Sequence, residues 1–308
     1  MRTPSVPGGF YHFTHHKRWQ YLALTTPRYF CAAAVVNLGY AANAFVFVAD
    51  LAEKKTLLQK SFIGVPGLSA QVSGRPAVGA LARFRAPGAS LELSRPDAAS
   101  PYKLSVRLRK RLTLDATVSA AGTTPLTYLG PIGGGGRANC TQKLPAAPAE
   151  VSLELDGRRL DMAGAQGGMD FTDGLLARDT SWRWAFGQGF ARDGTRVAFN
   201  LVEGFNEVAG GSSEDAVWID GVPGSVGRGR FEYDAAEHLK PWKVRSECGA
   251  VALTFTPAAG YRECHNLLVA SSRFLQVAGL YSGTLQVGGR TYELDGLPGV
   301  TEDQSVRW

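Results

Sequence analysis

The chain has 308 residues, of which 44% are apolar and 19% charged; at that length and apolar content roughly three-quarters of the unfolded surface can be buried, which excludes a mainly disordered protein. Glycine, at 37 residues, exceeds the ordinary share while proline, at 16, does not, so the excess marks tight turns rather than a low-complexity linker. The net charge of +6 favours anionic neighbours weakly, and its scatter along the chain predicts no nucleic-acid partner. Cys31, Cys140, Cys248 and Cys264 lie far apart without a C-x-x-C, and Met1 to Pro7 lead into no apolar run, so free thiols in a reducing, cytoplasmic compartment are expected.

In chain order, the first distinctive stretch is Tyr29 to Ala49, uncharged over about 20 residues, the length a membrane helix needs. Asn37, Gly39 and Asn43 interrupt it, and Ala44 to Val48 is β-branched and aromatic, so two strands joined around Gly39 to Asn43 are predicted. Period-two alternation returns at Leu91–Leu93, Lys103–Arg109, Val151–Leu155, Val251–Thr256 and Thr284–Val287, punctuated by turns such as Asp156-Gly157 and Gly288-Gly289. Lys103, Ser105, Arg107, Arg109 and Arg111 share one strand face and Leu104, Val106, Leu108 and Leu112 the other, as a half-solvated wall requires. The alternative for that basic stripe is peripheral contact with an anionic membrane. Gly133 to Gly136, followed by Arg137, lacks the Gly-Lys-Ser/Thr ending of a phosphate loop and is predicted to be a flexible connection. Closely spaced short strands with no long amphipathic helix point to an all-β sandwich or barrel.

The two halves repeat each other. Trp19 is answered by Trp182 and Asn37 by Asn200, both 163 positions on, and Val46–Asp50 by Val217–Asp220. Each half closes alike: Gly157, Leu160, Met162, Gly164, Gly167 and Asp170 match Gly289, Tyr292, Leu294, Gly296, Gly299 and Glu302, all 132 positions apart. A repeat this long is a duplicated domain rather than a solenoid, and predicts two tandem antiparallel β-barrels, residues 1–172 and 173–308. A closed barrel of about eight strands has room inside for packed side chains or one small ligand.

Lys17-Arg18-Trp19, Asn37-Leu38-Gly39-Tyr40, Trp182 to Gly187, Asn200-Leu201, Trp218 to Gly221 and the run from Gly279 through Tyr281 to Trp308 resemble the bacterial family called domain of unknown function 2804. That family is similar in plan to tandem lipocalin-like (calycin) proteins that include carotenoid 1,2-hydratases, tocopherol cyclases and fungal cyclases that catalyse Diels–Alder reactions. The resemblance implies two lipocalin-like barrels and a lipophilic ligand such as a polyprenoid, polyketide or acyl chain. In the hydratase branch an aspartate follows a glycine-rich turn at the end of the first barrel, and Asp170, after Gly167-Gly168, stands at the matching position. Phe171-Thr172-Asp173-Gly174 departs from the residues that follow there.

Two carboxyl groups are therefore candidate proton donors, Asp170 and Glu203, since a carboxyl desolvated by aromatics has a raised pKa and can protonate an alkene or carbonyl. Trp182, Trp184, Asn200, Trp218 and Tyr281 are the candidate ligand contacts, aromatic faces being able to stabilise a developing carbocation. A cofactor-free hydratase, cyclase or isomerase is one expectation. A non-catalytic carrier or an interaction scaffold is the other, because Asp170 and Glu302 recur as a pair and can serve the architecture alone. His12, His15 and His16 sit near a terminus, and His238 and Cys264-His265 lack spaced partners, so neither metal nor cofactor is expected.

Overall fold

The computed structural model describes residues 9–131, 138–207, 213–267 and 270–308, and the Gly133–Gly136 connection lies outside them. A short helix, α1 (Gly9–His15), precedes the first sheet, which contains β1 (His16–Thr25), β2 (Tyr29–Asn37), β3 (Ala42–Asp50), β4 (Lys55–Gly64), β5 (Ala70–Val72), β6 (Ala80–Ala86), β7 (Ala89–Arg95), β8 (Tyr102–Leu108), β9 (Leu112–Val118), β10 (Leu126–Pro131), β11 (Ala138–Leu155), β12 (Arg158–Leu160) and β13 (Gln166–Leu175). The second sheet contains β14 (Asp179–Phe190), β15 (Arg196–Glu203), β16 (Ala216–Ile219), β17 (Val222–Ser225), β18 (Gly229–Glu232), β19 (Trp242–Ser246), β20 (Val251–Leu267), β21 (Ala270–Val287) and β22 (Arg290–Arg307). All strand pairs are antiparallel, in the orders β4-β3-β2-β1-β13-β11-β9-β8-β7-β6-β5 and β17-β16-β15-β14-β22-β21-β20-β19-β18. Each sheet curls until late strands return to early ones, β5 against β2 and β18 against β15. The result is a tandem pair of antiparallel barrels, and the chain passes between them at residues 176–178, shortly after the 172/173 division expected from the repeat.

The predicted hairpin is present as β2 and β3, with Gly39 at φ 85° in its turn, where an added Cβ would lie 2.1 Å from the Phe13 carbonyl oxygen. Its lack of charge has a structural cause. Cys31, Ala33, Val35, Val46 and Val48 point into the first barrel, while Phe30, Ala32, Ala34, Phe45 and Phe47 on the opposite face pack against the second. A sheet buried on both faces tolerates no solvated side. On the far wall, β8 and β9 alternate as predicted: Leu104, Val106 and Leu112 are buried and Lys103, Arg107 and Arg111 exposed, with Arg107 and Arg111 paired to Asp115 and Asp156.

The repeat survives in the closing strands. Tyr21 pairs with Asp170 and Leu24 with Gly167; Trp184 pairs with Glu302 and Gly187 with Gly299. The asparagine match does not survive. Asn37 lies opposite Arg18, beside Trp19, whereas Asn200 lies opposite Phe186, four residues past Trp182. The longer β14–β15 turn shifts the second copy, so equal sequence spacing places the two amides at different heights.

Both barrel interiors are filled. Leu91, Leu104, Val106, Leu114 and Met169 belong to the packing of the first, and Phe199, Trp242, Val244, Phe255 and Tyr281 to that of the second; each such side chain contributes about 1.5–3 kcal/mol. The apolar cavity described below lies at the junction of the two barrels, between the core of the first and that of the second.

Candidate functional site at the barrel junction

Where β1–β3 face β14, β15 and β20–β22, the junction core gives way to a cavity of about 300 Å³. Its walls are mostly apolar, with Trp19, Tyr21, Phe45, Trp184, Tyr261 and Phe274 prominent; of the four carboxyl groups in its lining, Glu214 and Glu263 among them, Asp170 and Glu302 reach it from equivalent strands of the two sheets. The repeat positions them. Asp170 on β13 accepts from Trp19 Nε1 at 3.2 Å, and Glu302 on β22 accepts from Trp182 Nε1 at 2.7 Å.

The third partner breaks the symmetry. On β11, one residue before a bulge, Lys143 lies opposite Asp170; its Nζ is 2.5 Å from Asp170 Oδ1 and 3.0 Å from Glu214 Oε2. Gln276 on β21 holds the corresponding place opposite Glu302 and donates from Nε2 to Glu302 Oε2 at 3.0 Å. A lysine beside one acid and a neutral amide beside the other give the two carboxyls different chemistry. Burial opposes the Lys143 ammonium, but Asp170 and Glu214 outweigh it and hold its pKa above the usual lysine range. Burial pushes the Glu302 carboxyl up to about 7; the Trp182 and Gln276 donors and the Lys143 charge oppose this, while the Asp170 charge reinforces it.

Further titratable groups line the cavity around this pair. The buried Tyr21 hydroxyl is held neutral, first by burial and then by the nearby Glu302 and Asp170 charges. At the other end Glu263 accepts from Ser61 Oγ at 2.7 Å and from Tyr261, with His265 Nε2 2.5 Å away. These contacts outweigh desolvation and keep Glu263 below the usual carboxylate range.

The sites expected from sequence divide cleanly. Asp170, Trp182 and Trp184 line the cavity. Asn200 stands behind it, fully buried, accepting from Trp184 Nε1 at 2.7 Å and donating to the Glu214 carbonyl at 2.9 Å, so it positions the tryptophan. Glu203 lies elsewhere, paired with Arg183 at 3.1 Å. Trp218 packs among Ala146, Ala198 and Ala216, and Tyr281 fills the second barrel with its hydroxyl on the Val300 carbonyl. Glu302, Lys143 and Gln276 were not singled out as functional from sequence. The equivalence of Glu302 with Asp170 was the available signal for the first, and the uncharged hairpin was the signal for a buried outer face.

These features define a tandem antiparallel β-barrel protein with an acidic pair in an inter-barrel cavity. The chain belongs to the family described as Domain of unknown function (DUF2804), which matches residues 5–308. By sequence, no curated protein matches it. Among solved structures, the chain is similar in fold to kievitone hydratase from Nectria haematococca, with a TM-score of 0.58 and 15% identity over 97% of this chain and 93% of that one. It is also similar to CghA, solved alone and with Sch210972; the first has a TM-score of 0.53 and 12% identity over 94% of this chain and 88% of that one. No helix among the described residues is long and apolar enough to cross a membrane.

Proposed function

We propose that the chain binds a lipophilic small molecule in the junction cavity and acts on it as a cofactor-free hydratase, cyclase or isomerase, with Glu302 as proton donor. The observation that carries this reading is the unequal pair of tryptophan-bound carboxyls on one apolar cavity, Asp170 against a lysine and Glu302 against an amide. A carboxyl titrating near 7 holds a transferable proton at neutral pH, which is what protonation of an alkene or carbonyl needs. Asp170, salt-bridged to Lys143, supplies negative charge close by, and the faces of Trp19, Trp182 and Trp184 flank the space in which positive charge would develop. The similarity in fold to a hydratase supports the reaction class but not a substrate.

The test is native mass spectrometry of freshly purified protein to find a co-purified lipophile, followed by turnover of that compound by wild type, Glu302→Gln and Glu203→Gln. Binding retained with turnover lost in Glu302→Gln alone supports the proposal. Equal turnover in all three refutes the acid role, and binding without turnover in wild type identifies a carrier.

A further inference from the structure

At the cavity mouth three chain segments meet. The register of β1–β4 brings the end of α1, the β2–β3 turn and the β4–β5 loop to one edge of the first sheet: Arg18 pairs with Asn37, and Asn43 with Ile63. Tyr40 in the turn packs edge-on against Phe13 of α1, ring centroids 6.3 Å apart. Lys17 fastens the assembly, donating to the Thr14 and Leu38 carbonyls at 2.8 Å each, with its Nζ 5.2 Å from the Trp308 ring centroid.

This edge is unusually apolar for an exposed one. Phe10 is 81% exposed, Ile63 72%, Val65 55% and Leu68 85%; Tyr40 and Ile63 also line the cavity. Residues 9–17, 38–41 and 60–69 contain no Asp or Glu; Lys60 and His12 are exposed there and His15 and His16 half-buried, while Lys17 is buried and committed to the Thr14 and Leu38 carbonyls. The neighbouring acids are engaged: Asp173 by His16 and Arg18, Glu263 by His265, and Asp179 by Arg307. Large exposed apolar side chains with the exposed Lys60 beside them and no acid among them match the interfacial region of an anionic bilayer.

We propose that this rim docks on an anionic lipid surface, so that a lipophile passes between bilayer and cavity without crossing water. The assignment differs from the Arg107–Arg111 stripe, whose charge is partly answered by Asp115 and Asp156. It also stands apart from catalysis, since a carrier needs the same entry.

The experiment is co-sedimentation of the full chain with phosphatidylcholine vesicles, with and without about one-third phosphatidylglycerol. Wild type is expected to sediment with the anionic vesicles. The triple variant Phe10→Ser, Ile63→Ser, Leu68→Ser should need at least about tenfold more lipid for the same bound fraction, with its urea midpoint unchanged because all three side chains are exposed. A Leu68→Trp variant should be quenched by brominated acyl chains, which reports insertion directly. Failure of wild type to bind either vesicle overturns the proposal. So does loss of binding in Arg107→Gln, Arg111→Gln with none in the rim triple, or a Leu68→Trp signal that brominated lipid leaves unchanged.

Discussion

Trp19 and Trp182 stack across the barrel junction with ring centroids 6.1 Å apart and planes inclined by 17°, and each indole N–H is bonded to the carboxyl of its own barrel. One stacked pair thus fixes both acids relative to each other. Trp184 and Trp308 also line the cavity, so four of the six tryptophans report on it, while Trp218 and Trp242 lie away.

Filling the cavity should therefore change intrinsic fluorescence. Titration with the co-purified lipophile is expected to shift and quench emission in wild type, and Trp218→Phe should retain most of that response. A signal lost on replacing Trp218 and kept on replacing Trp182 would place the ligand elsewhere.

Turnover should depend on the protonated form of Glu302. A donor titrating near 7 predicts a rate constant for the chemical step that falls above about pH 7 with a single ionisation. Single-turnover rates across pH 5 to 9 (about the accessible range) check this, and a profile flat through 7 would exclude Glu302 as the donor.

The same group sets a stability trend. Because its folded-state pKa lies above the ordinary 4.5, the native state holds a proton that the unfolded chain releases, and stability is lost as pH rises from about 4.5 to about 7. The loss is on the order of 3 kcal/mol. Glu302→Gln should be more stable than wild type at pH 8 and lose that advantage towards pH 5, as read by urea unfolding. Asp215, pushed up to about 7 by burial although it accepts from the Val202 amide, adds a second contribution of the same sign in both proteins.

Removing Lys143 should be costly in a different way. Lys143→Met leaves the half-buried Asp170 and the buried Glu214 without their shared counter-ion, and the expected destabilisation is about 3–5 kcal/mol at neutral pH. Adding Glu214→Gln should recover part of it. Urea midpoints of the single and double variants decide whether the ion pair or simple packing is responsible.

The two equivalent closing glycines should respond unequally to alanine. At Gly299 a Cβ would sit 2.3 Å from the Phe186 carbonyl oxygen and 2.8 Å from Gly187 Cα, both backbone, whereas at Gly167 it meets the Val118 methyls at 2.5 and 2.6 Å. Backbone cannot step aside as a side chain can. Gly299→Ala is expected at the top of the roughly 1–3 kcal/mol overpacking range and Gly167→Ala lower in it; thermal melts test the order.

Much of the fold was legible because strand periodicity and turn glycines are local signals: the β2–β3 hairpin, the two-faced β8–β9 wall and the closing-strand repeat all follow from them. The cavity's location was not, because the side chains of one sheet face carry no mark of which neighbour covers them. Tyr21 and Phe45 look like generic strand residues until the second barrel is brought against them. Asp170 was legible by its place after Gly167-Gly168, although the structure puts those glycines inside β13 rather than in the expected turn, while recurrence was read as a sign that both acids serve the architecture. Recurrence in fact put both acids on one cavity, and the difference between them lies on strands distant in sequence, at Lys143 and Gln276.

That difference bears on why the two barrels share one polypeptide. A homodimer built from a single barrel would carry identical residues on either side of its dyad, so both acids would face lysine or both would face glutamine. Covalent fusion frees each copy to mutate alone, allowing one carboxylate to become a fixed counter-ion while its twin stays a proton reservoir.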